Sequence, residues 1–91
     1  MIPLSILSTT QGLQKAVLTI EDKKGFLDES LSDKLIMLAE ENGEVARAFL
    51  ENDKQQLIEE NIDCIFLHIA ILNRLGADLQ EEFYKKFCKW E

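Results

Sequence analysis

The sequence predicts an all-α protein, a four-helix bundle completed by oligomerisation. Three observations carry that expectation. Apolar residues recur near the 3.6-residue helical period in four stretches. Polar capping residues, or a glycine, mark where those stretches start and stop. No run of useful length alternates apolar and polar residues as a half-buried strand would, and no internal repeat is evident.

The first helix is expected over residues 9–23, where Leu13, Val17 and Ile20 recur at helical spacing and Gly25 stands ready to end it; Gly12 and several β-branched residues weaken the pattern. A connector, Phe26-Leu27-Asp28-Glu29, leads to Ser30, which with Asp33 three residues on forms an acidic variant of the capping box. The second helix then covers residues 31–50, with a main apolar stripe of Leu31, Leu35, Leu38, Val45, Ala46 and Phe49. Asp53 with Gln56 is a second start signal and opens a third helix running to Arg74, closed by Gly76. Asp78 and Glu81 repeat the signal, and the fourth helix carries Leu79, Phe83, Phe87 and Trp90 on one face.

Within the third helix, residues 62–72 are apolar on nearly every side, and a helix apolar all round is buried all round. In a chain of 91 residues, read as one domain spanning 1–91, a second subunit has to cover the far face. A homodimer or homotetramer is therefore expected. Asp63 would then stand inside or at the edge of a core and require a partner of opposite charge.

Composition narrows the function. A net charge of −7, with the Lys residues paired or isolated, gives no basic face for a nucleic-acid polymer. The longest apolar run is too short to span a bilayer and is broken by Asp63 and His68, and the start of the chain lacks the basic leader of a signal peptide, so no membrane partner and a cytoplasmic location are expected. Cys64 and Cys88 are too few for a disulfide framework and match no Cys/His ligand spacing, which makes them free thiols of a reducing compartment.

Glu41/Glu44 and Glu60/Asp63 form two acid pairs at the i,i+3 spacing that shares a helix face. They flank the turn-like segment Glu51-Asn52-Asp53 at mirror-image distances. If the second and third helices fold back as an antiparallel hairpin, Glu41 meets Asp63 and Glu44 meets Glu60, about 12 Å down from the turn at 1.5 Å per residue. Four such acids repel one another unless a cation sits among them, and their oxygen ligands suit a hard ion such as Mg2+. Each pair lies on a stripe with small or apolar residues, Met37 and Ala48 for the first and Leu67 and Ala70 for the second, unlike a fully solvated face. An acid-rich chain also produces such pairs by chance, and periodicity alone leaves both readings open.

The letters themselves add to this. Glu40-Glu41-Asn42-Gly43-Glu44 followed by Glu60-Asn61-Ile62-Asp63 reads EExxE then ExxD, which resembles the MazG-type all-α nucleotide pyrophosphohydrolases. The resemblance covers residues 35–87, including Leu72-Asn73-Arg74-Leu75-Gly76-Ala77-Asp78-Leu79, which is similar to that family's exit into its last helix. It implies a MazG-like bundle that hydrolyses a nucleoside triphosphate between its α and β phosphates, giving a monophosphate and pyrophosphate. It also implies that Glu41, Glu44, Glu60 and Asp63 are Mg2+ ligands and that Glu40, the first acid of the motif, orients water or supports the ligands. Lys86 matches a Lys of the family's last helix and is a candidate phosphate contact, whereas the following Cys88, Lys89 and Trp90 depart from the family's Asn- or Arg-bearing tail. The connector before the second helix matches no base-specificity motif. A helical interaction or regulatory protein, or a catalytically impaired relative, is the alternative.

Other residues read more plainly. Arg74 is on the acids' stripe but about three turns away, and would reach a substrate phosphate only across a subunit boundary. His68 is expected as a hydrogen-bonded core or interface residue, and Cys64 as a small buried apolar one. Trp90 and the nearby Phe residues read as core or interface rather than as a base-stacking platform.

Overall fold

A computed structural model describes residues 1–89; Trp90, expected on the apolar face of the last helix, lies outside the described residues. A 3-10 turn at Leu4–Ser8 precedes α1 (Thr10–Lys24), and a second short 3-10 turn at Phe26–Asp28 leads into α2 (Leu31–Leu50). Then come α3 (Lys54–Arg74) and α4 (Leu79–Phe83), the latter continued by a π-helical segment at Tyr84–Cys88. Among the described residues there is no strand, and the all-α expectation holds.

The start and stop signals work as their chemistry requires. Thr9 Oγ1 accepts from the Gly12 N–H at 2.9 Å, Ser30 Oγ from the Asp33 N–H at 3.0 Å and Asp53 Oδ1 from the Gln56 N–H at 2.9 Å. Gly25, at φ 74°, closes α1. Asp78 makes no side-chain cap bond, and α4 is correspondingly short. Between α2 and α3 the chain reverses in three residues. Asn52 takes φ 57°, a left-handed conformation that Asn tolerates better than most residues, while the Asp53 N–H donates to Ala48 O at 3.0 Å and the Asn52 N–H to Phe49 O at 3.1 Å. Asp53 ends one helix and caps the next, which fixes the register of the hairpin.

The third layer is α1, which runs antiparallel to the C-terminal half of α3. Val17, Ile69 and Ala70 form the buried apolar cluster there, with Leu13, Phe66 and Leu79 packed on it. Gln14 clamps the assembly: its Nε2 donates to Asn73 Oδ1 and to Ala77 O at 2.8 and 2.9 Å, its Oε1 accepts from the Leu79 N–H at 2.9 Å, and Asn73 Nδ2 donates to Gln14 O at 2.9 Å. Gly12, which weakened the helical pattern, is explained by close approach. A Cβ there would sit 1.8 Å from the Ile6 carbonyl oxygen, so the 3-10 turn rests directly on the helix backbone.

The expected apolar stripe of α2 is corrected. Leu35 and Phe49 are 51% and 67% exposed, because the face turned to α3 is occupied by Lys34, Met37, Glu41 and Ala48 instead. Leu35, Ile36 and Leu50 lie near the opposite side of α2, and Ile58, Ile62 and Ile65 form a matching apolar strip on α3 beyond the end of α1. Within the chain, therefore, residues 62–72 are covered on one side only, and His68 is exposed rather than buried. On the last segment Phe83 and Phe87 stack on each other, 5.1 Å between ring centroids, while both remain exposed.

Replacing Gly12 with Ala is expected to destabilise the protein by about 1–3 kcal/mol, the usual cost of overpacking against a fixed neighbour. Urea unfolding followed by circular dichroism measures it. A loss within about 0.5 kcal/mol, the scale of an ordinary surface change, would mean that the 3-10 turn yields.

Candidate metal centre

The register set by Asn52 brings Glu41 of α2 against Glu60 and Asp63 of α3. One carboxylate oxygen from each lies within 4.8 Å of the others. Glu60 is the buried member at 9% exposure, and its Oε1 accepts from Gln56 Nε2, one turn earlier, at 2.5 Å. Asp63, expected inside or at the edge of a core completed by a second subunit, is exposed within the single chain. Apolar neighbours in sequence do not bury it, because the helix turns it to the open side of the hairpin.

Glu41 carries the electrostatic strain. Its Oε2 is buried and has no hydrogen-bond donor among the described residues. A hydrogen bond shared with the Glu60 carboxyl is the main reason its pKa is pushed up from the usual 4.5 to about 7; burial and the charges of Glu60, Asp63 and Glu44 add to it. Two carboxylates cannot hydrogen-bond each other unless one holds a proton, so the pair is satisfied by a proton or by a cation. The same field acts on Cys64. Burial first, then Glu41, Asp63 and Glu60, push its thiol pKa up, and Cys64 Sγ donates to Asn42 Oδ1 at 3.5 Å. It is a buried thiol, as expected, and the upward shift favours its protonated form.

The donor set fits a hard divalent ion. Mg2+ with oxygens at about 2.1 Å places ligand atoms roughly 3–4 Å apart, so the observed group needs only a small contraction to close on one.

Two open cavities meet at this point. One of about 230 Å³ runs from Glu41 and Asp63 past Met37, Phe66 and Leu67 to Phe26, Glu29 and Lys34. The other, about 340 Å³, lies over Glu59, Glu60, Ile62 and Asp63. Glu44 is not brought into the close group. Its carboxylate lies 3.8 Å from Arg47 Nη1 on the exposed side of α2, so Glu60 approaches Glu41 and not Glu44 as the mirror-image pairing had it. Glu40 is exposed beside Glu41. Arg74 stands apart, donating to Leu27 O at 3.3 Å, and lines a separate cavity with Glu21 and Asn73. Lys86 is exposed on the π-helical segment with its ammonium 5.7 Å above the Phe87 ring. Neither lines the cavities that meet at the acids.

Sequence reasoning missed Lys34 altogether. Its side chain is buried at 2% exposure and is tied to Glu21 and Glu29. The available signal was its place on the stripe Lys34, Met37, Glu41, Ala48, which an apolar-only reading of the helix face passes over.

The family model described as phosphoribosyl-ATP pyrophosphohydrolase matches residues 16–86, a span that contains all of α2, α3 and α4 together with most of α1. No solved structure matches the chain.

A pH dependence follows from Glu41. Its pKa is higher in the folded state, so its contribution to stability is fully present below about pH 4.5 and is lost as pH rises through about 7. Thermal melts of metal-free protein are expected to show that loss between pH 5 and 8. Because Mg2+ competes with the proton, stabilisation by added Mg2+ is expected to grow across the same window. Glu41→Gln should weaken Mg2+ binding while leaving helical content in place. Unchanged Mg2+ affinity in the Gln variant, measured by titration calorimetry, would remove Glu41 from the ligand set.

Proposed function

The chain belongs to the phosphoribosyl-ATP pyrophosphohydrolase family, and from that premise we propose that it is a Mg2+-dependent nucleoside triphosphate pyrophosphohydrolase. Water attacks the α phosphorus, the bond from that phosphorus to the α–β bridging oxygen breaks, and the products are a nucleoside monophosphate and pyrophosphate. The observation that carries the reading is the convergence of Glu41, Glu60 and Asp63, with a buried Glu41 oxygen that lacks a donor, on the segment matched by the family.

In this proposal Glu41, Glu60 and Asp63 would hold the cation, and Glu44, now 3.8 Å from Arg47, would be a fourth ligand. Gln56 keeps the Glu60 carboxylate turned inward. Glu40, exposed at the edge, orients the attacking water. A divalent cation in this site supplies charge compensation for the phosphate oxygens and a more acidic water. No covalent nucleophile is needed, since transfer of this kind depends on positioning and electrostatics. Lys86 and Arg74 are kept as candidate phosphate contacts that would have to come from a neighbouring subunit.

The family's own name favours a second substrate, phosphoribosyl-ATP, which presents the same triphosphate on a larger nucleotide. We further propose that further copies of the chain cover two strips, Ile58, Ile62 and Ile65 on α3 and Leu35, Ile36 and Leu50 on the outer side of α2, giving a homodimer or a homotetramer, because exposed apolar strips of this kind are costly to leave in water. The free thiols of Cys64 and Cys88 favour the reducing cytoplasm as its location.

Incubation with Mg2+ and a panel of nucleoside triphosphates plus phosphoribosyl-ATP, with pyrophosphate release as the readout, is expected to give turnover that Asp63→Asn lowers by about 100-fold or more, the scale of losing one preorganised electrostatic contact. Turnover of phosphoribosyl-ATP alone would decide for the second substrate; no turnover above the Asn variant on any nucleotide would reject the enzyme reading. Sedimentation velocity is expected to show an oligomer that Ile62→Asp dissociates. A monomeric wild type at micromolar concentration would contradict the assembly.

A further inference from the structure

Among the described residues, Lys34 is the one basic residue lining the cavity that reaches Glu41 and Asp63, and the proposed metal centre makes no use of it. Its ammonium lies 2.5 Å from Glu21 Oε2 and 3.2 Å from Glu29 Oε1, and it donates to Phe26 O at 3.4 Å. Phe26 O and Glu29 Oε1 accept hydrogen bonds from it, whereas the buried Glu21 Oε2 is held by charge alone, without a hydrogen bond among the described residues. The two carboxylates differ in kind. Glu21, on α1, is 2% exposed and faces the separate cavity shared with Leu18 and Arg74. Glu29, in the connector just before α2, is 28% exposed and lines the same cavity as the metal-binding acids. One ammonium shared by two carboxylates leaves a net negative charge, and the outer carboxylate is the replaceable one.

Helix geometry connects the two ends. Lys34 precedes Glu41 by seven residues, two turns on one face of α2, which is about 10.5 Å along the axis. A nucleotide with its α phosphate at the acid cluster would direct its terminal phosphates through this cavity, past Met37 and Phe66, toward this ammonium. We propose that Lys34 is a substrate-binding residue for a nucleotide phosphate group, that Glu29 occupies it in the free protein as an internal stand-in for that anion, and that substrate binding exchanges one for the other. Glu21 holds the ammonium in place throughout. The proposal deepens the nucleotide pyrophosphohydrolase reading and rests on it.

The test is titration calorimetry with a non-hydrolysable α,β-methylene nucleoside triphosphate and Mg2+, read beside turnover. Glu29→Gln removes the competing charge and is expected to tighten binding about fivefold, the factor for an ion pair of this exposure. Lys34→Met would strand Glu21 as a buried unpaired carboxylate, so it is made together with Glu21→Gln, and the double variant is expected to bind about tenfold more weakly. Unaltered or weaker affinity in Glu29→Gln overturns the exchange, and this single variant decides even if the double one fails to fold. Wild-type affinity in a folded double variant removes Lys34 from the binding site. Loss of turnover with the affinity changes intact would sink the hydrolase reading and leave the exchange standing.

Discussion

Glu41 and Glu60 face each other across α2 and α3 with no donor between them, and the rest of the molecule has to hold that contact closed. Left alone, the repulsion would spread the helices or load the site with a proton. Opposing it are Ala48, Leu67 and Ala70, small or apolar residues buried on the two inner faces, which let the backbones approach. The reversal through Asn52 and Asp53 ties the helices at one end, and Gln14 locks α1 and the entry to α4 onto the other. Local stability is given up at the acids and recovered at the two ends of the hairpin, the arrangement expected where a site stores unfavourable electrostatics for a ligand to relieve.

The two buried ionic clusters divide the inner face of α2 between them. Toward its N-terminus, the Lys34 ammonium stands between the carboxylates of Glu21 and Glu29 and offsets the charge of one of them. Two turns later, Glu41 is itself surrounded by carboxylates. Buried charge is tolerated when an opposite charge stands against it, and among the described residues only the Lys34 cluster contains one. This contrast separates a structural ion pair from a place that solicits a cation more sharply than the number of acids does.

Much of this was legible in the sequence, for reasons that are local. Caps at Thr9, Ser30 and Asp53, and the break at Gly25, act within a few residues, so helix limits could be read closely. The convergence of Glu41 with Asp63 followed from counting outward from Asn52, because a tight reversal leaves little freedom in register. What failed was anything that depends on the third helix in the stack. Leu35 and Phe49 were expected inward and point outward, since only the position of α1 and the demand of Lys34 for partners decide which face of α2 is internal. Glu44 was assigned to the cluster by its spacing, yet i,i+3 residues diverge by 60° around a helix, enough for it to lean to Arg47 instead. The π-helical turn at 84–88 had no sequence signal that periodicity could register.

The three-residue reversal between α2 and α3 also bears on how this chain can vary over time. Each residue added or removed there turns α3 by about 100° relative to α2 and slides it by 1.5 Å. A single insertion beside Asn52 would carry Glu60 and Asp63 off the face that Glu41 sees, although every letter of both motifs survived. Descendants of this sequence can therefore exchange side chains along the hairpin with some freedom, but the interval of 22 positions from Glu41 to Asp63 is inherited as a fixed length.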